Sequence, residues 1–244
     1  MDVARHFYPE IGAGGFSRVD GTVEFYSRVN ALIRPEMAVL DFGAGRGWHA
    51  EDECAYRRDL QSLRGKVRTV VGADLDPVVK TNPTVDEAVV LEEGRGLPFR
   101  DESFDLILSD ATLEHVDTPS AVVTELDRVL RPGGWICART PNRWGYIGVG
   151  ANLAPNRLHA TLLRRLQPHR EARDVFPTRY RMNTLKALAR LFPPERFEHF
   201  SYALTTEPAY FGNSRLLWQL MLLVNRVTPP RMEATLFVFL RKRP

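Results

Sequence analysis

Over its first 140 residues the sequence alternates short apolar runs with segments of helical periodicity. The apolar runs are continuous and rich in β-branched residues, as is typical of parallel strands covered on both faces. They predict strands at Ala38–Phe42, Val67–Asp74, Glu87–Leu91, Phe104–Asp110 and Gly134–Thr140. Helical patterns lie between them at His49–Leu63 and Thr118–Leu130. Strands and helices in this order predict a doubly wound α/β fold.

The alternation lapses between Pro141 and about Tyr180 and then resumes. The later elements predicted are a helix capped at Asn183-Thr184, a strand near Phe197–Leu204, an apolar helix over 213–227 and a last strand within 233–244. We therefore expect one domain over 1–244. It would comprise an N-terminal lid (1–36), a core (37–141), a basic insert (142–181) and a C-terminal core part (182–244).

Composition narrows the class of protein. A chain of 244 residues can bury a core without disulfides, and its two cysteines, Cys54 and Cys137, match no metal-ligand spacing. We expect no metal, no signal peptide and no membrane span, and hence a cytoplasmic protein. The net charge is only +3, but residues 142–196 hold eleven Arg or Lys against three acids. This asymmetry predicts different partners for the two halves.

A glycine-rich loop follows the first predicted strand. Gly43, Gly45 and Gly47 stand at alternate positions, where the backbone can curl and approach a ligand closely. Asp74 ends the second strand, where a carboxylate can accept both ribose hydroxyls of an adenosine. The loop departs from the G-x-G-x-x-G spacing that packs a pyrophosphate, and Glu51, Asp52 and Glu53 in the expected first helical turn would repel phosphates. An adenosine without phosphates, such as S-adenosylmethionine, suits this loop.

Four linked segments now resemble one known family. VLDFGAGRG, VVGADLDP, LPFRDESFDLILSDATLEHV and LRPGGWICARTPN are similar, in order and spacing, to the class I S-adenosylmethionine-dependent methyltransferases with an L-P-F…S-F-D segment. The similarity covers roughly residues 39–142. It implies a Rossmann-like, seven-stranded sheet with an antiparallel last strand, and S-adenosylmethionine as cofactor, with S-adenosylhomocysteine as product.

The resemblance also implies roles for particular residues. The three glycines would contact the methionine moiety, and Asp41 would hold the loop or the donor's amino group. The remaining donor contacts would be Asp74 on the ribose, Leu75 on the adenine, Glu93 and Gly94 near the adenine, and Ser109 and Asp110 facing the sulfonium. Glu93 stands where members of the family usually have an aspartate, so the reach of its carboxylate differs. Asp105 would fix the start of its strand.

The methyl acceptor is less constrained by the sequence. Methyl transfer needs alignment and, for a hydroxyl acceptor, a base. His115 beside Glu114 is a candidate base, and the alternative is that both residues brace their loop. Candidate substrate contacts are Arg18 and Tyr26 in the lid and Arg179, Tyr180 and Arg181 at the end of the insert. Arginines there suit an anionic acceptor, and an equally good interpretation is that they form a solvated basic face.

We therefore expect an S-adenosylmethionine-dependent methyltransferase acting on a small molecule or glycan, with oxygen as the preferred acceptor atom. The alternatives are an inactive donor-binding module and, less favoured, a nicotinamide-dependent reductase. Nucleic acid is disfavoured because the chain shows no familiar nucleic-acid-binding module. The apolar helix over 213–227 is open to three readings, namely core, the face of a homodimer, or peripheral membrane contact. Trp48 and His49, which follow the glycines, are expected to pack the loop against the lid, and the alternative is that they border the acceptor.

Overall fold

We describe a computed structural model, covering residues 3–146, 148–149, 177–208 and 214–244. Its helices are α1 (Val3–Phe7), α2 (Gly21–Leu32), α3 (Ala55–Gln61), α4 (Pro119–Val129), α5 (Leu185–Leu191) and α6 (Arg215–Val227). Its strands are β1 (Ala38–Phe42), β2 (Thr69–Asp74), β3 (Glu87–Val90), β4 (Phe104–Asp110), β5 (Leu130–Pro141), β6 (Phe197–His199), β7 (Tyr202–Leu204) and β8 (Thr235–Lys242). The helix expected within the basic insert lies outside the described residues.

The strands form one mixed sheet with the order β3-β2-β1-β4-β5-β8-β6, and β7 also pairs with β8. Strands β1 to β5 are parallel, and β8 runs antiparallel to β5. This arrangement confirms the doubly wound fold and its antiparallel last strand. The carboxyl ends of β1, β2, β4 and β5 consequently meet along one edge of the sheet, where ligands bind in folds of this type.

The count of eight strands, against the seven expected, comes from a break in the strand predicted near Phe197–Leu204. β6 and β7 pair with β8 in the same register on either side of Phe200 and Ser201. At the break the Ser201 hydroxyl accepts a hydrogen bond from the Phe239 amide at 3.0 Å. A side chain therefore takes the place of a ladder carbonyl, and one strand is divided in two.

Apolar side chains cover both faces of the sheet. Leu40, Ile107 and Ile136 point to one face, where α4 and α5 pack through Leu126 and Leu188. Neighbouring residues on the same strands point to the other face, as the two-residue period of a strand requires. There Val39, Leu106 and Cys137 meet α2 and α3 through Phe25, Val29 and Leu60. Both cysteines are buried free thiols.

The helix predicted at His49–Leu63 is interrupted, so that part of the sequence prediction was wrong. Residues Trp48–Glu51 form a 3₁₀ turn, and α3 begins only at Ala55. Asp52 lies between them and accepts hydrogen bonds from the Arg57 guanidinium at 2.6 and 2.7 Å. Arg57 also donates to Asp20, the N-cap of α2, at 2.8 Å. Asp52 therefore ties the glycine loop to the N-terminal segment and is not a free acid of a first helical turn.

Helix α6 is packed on one side only. Trp218 is buried against α1, where its ring stacks on Phe7 with centroids 5.7 Å apart. Leu216, Leu220, Leu223 and Val227, by contrast, are exposed. Helix α6 therefore belongs to the core only through the side that carries Trp218. Among the described residues, no helix has the length and apolar character needed to cross a bilayer.

Candidate active site

The glycine loop is shaped by left-handed backbone conformations. Gly43, Gly45 and Gly47 have φ angles of +82°, +50° and +70°, which side chains other than glycine rarely adopt. A Cβ on Gly43 would lie 2.1 Å from the Thr112 hydroxyl, and one on Gly47 would lie 2.2 Å from the Asn82 side-chain oxygen. A Cβ on Gly45 would meet no atom within 4 Å. The outer two glycines therefore allow close packing, while the middle one faces open space.

Asn82 supports this loop and was not singled out from the sequence. Its side-chain amide is buried and donates to the carbonyls of Ala44 at 3.0 Å and Gly45 at 3.2 Å. Its carbonyl oxygen accepts from the Thr84 amide and hydroxyl. All the hydrogen-bonding capacity of this amide is thus directed to holding two loops together. Its position 35 residues beyond Gly47 gave no local sequence signal.

Asp74 lies beside the middle glycine, at the end of β2. One carboxylate oxygen accepts from the Gly45 amide and the other from the Asp76 amide, both at 2.8 Å. These bonds fix the orientation of the carboxylate, and each oxygen retains a lone pair for a further hydrogen bond. The next residue, Leu75, is exposed beside it. The structure thus brings Gly45, Asp74 and Leu75 together at the end of β2.

Three carboxylates crowd the carboxyl edge of the sheet. Burial, with the charges of Asp110 and Asp74, raises the pKa of Asp41 at the end of β1 to about 7. An acid whose ionisation is disfavoured by neighbouring acids gains most from a cationic ligand. The cleft is therefore suited to a positively charged group.

Asp110 is engaged by the protein itself. Arg139 on β5 binds both of its carboxylate oxygens, at 2.8 and 2.7 Å, and the Tyr26 hydroxyl donates to it at 3.1 Å. Arg139 also donates to Thr22 on α2 at 2.8 Å. Tyr26 is buried, and its phenol pKa is raised by burial and by the charge of Asp110. The lid residue Tyr26 therefore closes the cleft from α2, and Ser109 beside Asp110 is fully buried in β4.

Glu114 and His115 occupy a short 3₁₀ turn after β4. The buried Glu114 carboxylate accepts from the Thr140 hydroxyl at 2.7 Å, and that hydroxyl accepts from the Asn183 amide at 2.6 Å. Burial raises the pKa of Glu114, and the hydrogen bond from Thr140 partly offsets this. His115 Nδ1 lies 2.9 Å from the Pro177 carbonyl oxygen, and its Nε2 lies 4.0 Å from Glu114.

These contacts assign the His115 tautomer. A carbonyl oxygen can only accept, so Nδ1 carries the proton in the neutral ring and Nε2 is the atom able to take one up. The Glu114 carbonyl meanwhile accepts from the amides of Arg179 and Tyr180. The turn is thus braced through Glu114, while the His115 imidazole is oriented. The bracing interpretation therefore has a physical basis in the contacts of Glu114. The interpretation as a base has one in the orientation of the His115 ring.

The remaining predicted site residues are dispersed. Arg18 is exposed and pairs with Glu10 at 3.0 Å, and Arg179 and Arg181 both pair with Asp117, at 3.3 and 3.2 Å. Tyr180 is buried with a φ of +51°. Glu93 and Gly94 form an exposed turn beyond β3, apart from the contacts above.

The two rings after the glycines have different environments. The Trp48 ring is 52% exposed and lies edge-on to His49, with centroids 6.3 Å apart. Burial lowers the pKa of His49, and the charges of Asp110 and Asp52 oppose this shift. His49 therefore faces the acid cluster as a largely buried neutral ring. Trp48 forms part of the outer wall of the loop.

Comparison with known proteins now identifies the class. Residues 40–138 match the family model described as "Methyltransferase domain". Across 91% of the chain, the fold is similar to a SAM-dependent methyltransferase from Aquifex aeolicus, with 14% identity, 93% of that chain covered and a TM-score of 0.51. Residues 40–138 are thus similar to a methyltransferase domain, and the fold of the chain is similar to that of an S-adenosylmethionine-dependent methyltransferase.

Curated relatives match this chain over only part of their own length. A ubiquinone biosynthesis O-methyltransferase from Thiobacillus denitrificans is 32% identical over 114 residues, 43% of this chain and 44% of that protein. A demethylmenaquinone methyltransferase from Staphylococcus aureus is 31% identical over 133 residues, 47% of this chain and 55% of that protein. The chain thus spans about half the length of these relatives.

Proposed function

We propose that this protein transfers a methyl group from S-adenosylmethionine to an oxygen of a small-molecule acceptor and releases S-adenosylhomocysteine. One observation supports this proposal most directly. The Gly45 amide donates to the Asp74 carboxylate, and the space next to Gly45 is open. An O-methyltransferase among the relatives supports the oxygen acceptor. The acid cluster supports the sulfonium donor, because this donor carries a positive charge that its product lacks.

In this proposal the donor lies along the carboxyl edge of the sheet. The backbone of Gly43, Gly45 and Gly47 borders its methionine part, and Asp41 accepts from its amino group. Asp74 binds the ribose, with Leu75 against the adenine and the Glu93-Gly94 turn beyond it. Asp110 and Ser109 lie behind the sulfonium. Asp110 is held in place by Arg139 and does not need to move on binding.

The acceptor would enter from the side of the turn that holds His115. His115 Nε2 takes the proton of the acceptor hydroxyl as the oxygen attacks the methyl carbon in line with the departing sulfur. Glu114 acts through position, because its carboxylate and its carbonyl hold the turn to β5 and to the residues before α5. Alignment supplies most of the rate enhancement, since the sulfonium already activates the carbon.

The first experiment is titration calorimetry with S-adenosylmethionine and S-adenosylhomocysteine, comparing the wild-type protein with Asp74→Ala. Loss of a charged hydrogen-bond partner is expected to weaken donor binding by roughly 1–3 kcal/mol. Asp59→Ala, which removes an exposed acid remote from the cleft, is the matched control and is expected to have no effect. Unchanged affinity in Asp74→Ala would exclude the ribose role.

Release of S-adenosylhomocysteine in the presence of pooled small hydroxyl compounds then tests turnover. Donor binding without release from any pool would favour the inactive donor-binding module. Binding of NAD in place of S-adenosylmethionine would instead favour the reductase alternative.

A further inference from the structure

A second depression lies beside the candidate active site and is lined by three arginines. It has a volume of about 470 Å³, and its walls are Pro119, Ser120, Arg143, Arg181, Arg190 and Leu191. The described lining contains no acidic residue. Three guanidinium groups around one depression concentrate positive charge and attract anions.

The described residues around this pocket carry an excess of positive charge. Arg181 pairs with Asp117 at 3.2 Å, outside the lining. Within the described ranges, neither Arg143 nor Arg190 has an acidic partner, and Arg143 instead lies 5.6 Å from the Trp144 ring. Two arginines without an acidic partner among the described residues therefore line a single pocket.

Helix α4 adds a further positive element. Pro119 and Ser120 are its first two residues, and the helix is 11 residues long. No described side chain caps its first turn. Free amide groups at a helix start carry partial positive charge and bind anions. The Ser120 hydroxyl adds a neutral hydrogen-bond donor to the same wall.

The pocket is connected to the turn that holds His115. The Arg143 amide donates to the Asn183 carbonyl at 2.8 Å, and the Asn183 side chain donates to Thr140, which donates to Glu114. A ligand anchored at these arginines would therefore lie beside the proposed acceptor site.

We propose that this pocket binds the phosphate group of a small-molecule phosphate ester. Guanidinium groups match phosphate oxygens with paired hydrogen bonds, and a dianion neutralises the two unpaired arginines. That the phosphate belongs to the methyl acceptor rests on the function proposed above, whereas the binding of phosphate does not. Of the two arginines predicted from the end of the insert, Arg181 lines this pocket and Arg179 does not.

The test is titration calorimetry of the full chain with inorganic phosphate and pyrophosphate. Each arginine that makes a charge-assisted contact is expected to contribute about tenfold in affinity. Arg143→Gln with Arg190→Gln should therefore weaken pyrophosphate binding by about 100-fold. Arg5→Gln with Arg226→Gln removes the same charge from α1 and α6, outside the pocket lining, and should leave the affinity within about twofold because salt screens charges that are not in contact with the ligand.

Three outcomes decide the proposal. Absence of binding both to pyrophosphate and to vesicles with an anionic phospholipid, or equal weakening in both double variants, would overturn it. Binding only to vesicles with an anionic phospholipid, lost in the Arg143/Arg190 variant, would keep the phosphate chemistry and assign it to a lipid headgroup. Titration of the same samples with S-adenosylmethionine separates this proposal from the function, because donor binding should be unchanged in both double variants.

Discussion

At the scale of single residues, the site depends on carboxylates that differ in their partners. Asp74 is oriented by two backbone amides, Asp110 is neutralised by Arg139, and Asp41 has its ionisation opposed by both of them. The same residue type therefore takes three roles at one edge of the sheet. The sequence located all three acids, but it gave no means of distinguishing their charge states.

The raised pKa of Asp41 predicts that donor binding depends on pH. In the free protein Asp41 is protonated below about pH 7, and a cationic ligand favours its ionised form. Binding should therefore release a proton, and affinity should rise with pH up to about 7 and then level off. The slope is at most about tenfold per pH unit for one proton.

Calorimetry between pH 5.5 and 8.5 in buffers of different ionisation enthalpy measures this release. Asp41→Asn should remove the pH dependence. S-adenosylhomocysteine, which keeps the amino group but lacks the sulfonium charge, should show the same dependence if Asp41 binds the amino group. A wild-type affinity that is flat across this range would contradict the assignment.

His115 is expected to act in turnover and not in donor binding. His115→Asn retains an amide nitrogen near the position of Nδ1 that can donate to the Pro177 carbonyl, but it cannot take up a proton from the acceptor. Turnover with a hydroxyl acceptor should fall by about 10²–10⁴-fold, the usual contribution of a general base, with donor affinity unchanged. Full activity in this variant would leave His115 as a bracing residue.

At the scale of elements, the glycine loop is held by residues from two other connections. Asn82 lies after β2 and Thr112 after β4, and each occupies the space that a side chain on Gly47 or Gly43 would need. The loop is therefore a packed element, open to solvent mainly at Gly45. Its glycine spacing was visible in the sequence, but the partners that demand glycine were not.

Substitution of two glycines by alanine should separate stability from binding. Gly47→Ala places a methyl group 2.2 Å from the Asn82 oxygen, and Asn82 cannot move without losing its bonds to the loop. Gly45→Ala meets no neighbour and incurs only the left-handed backbone cost of about 1–2 kcal/mol.

We expect Gly47→Ala to lower the free energy of unfolding by clearly more than Gly45→Ala does. Gly45→Ala should instead lower donor affinity by more than its small loss of unfolding free energy can explain. Chemical denaturation and calorimetry on both variants measure the difference. Equal losses of stability would show that the Asn82 contact does not constrain the loop.

At the scale of the whole molecule, one buried cation joins the N-terminal segment to the sheet. Arg139 on β5 contacts Asp110 on β4 and Thr22 on α2, and it lies within 6 Å of the Phe25 and Tyr26 ring centres. The segment expected to be a lid is therefore anchored to the core through α2.

Arg139→Met should be strongly destabilising. It leaves the Asp110 carboxylate unpaired beside Asp41, and breaking a pair of this kind costs about 3–5 kcal/mol. Arg64→Met breaks an exposed pair with Asp86 and should cost about 1 kcal/mol or less. Thermal and chemical denaturation of the two variants measure this contrast. Similar small losses in both would show that the Arg139 pair does not hold α2 to the sheet.

The sequence by itself determined the fold class, the resemblance to a methyltransferase domain and the order of the elements. Continuous β-branched runs gave β1 and β4 with their observed bounds, because strands buried on both faces leave a strong local signal. The glycine loop and Asp74 were visible for the same reason, since their chemistry is confined to a few adjacent positions.

Only the tertiary structure decided which distant residues meet. Asn82 against the loop, Arg139 against Asp110, and Arg143 with Arg190 beside α4 are contacts between segments far apart in the chain. The tertiary structure also interrupts the helix predicted at His49–Leu63. The Asp52–Arg57 ion pair stabilises a non-helical conformation there, although the local sequence has helical periodicity. Charge and hydrogen-bond partners are set by packing in three dimensions, and neighbouring residues in the sequence carry no record of them.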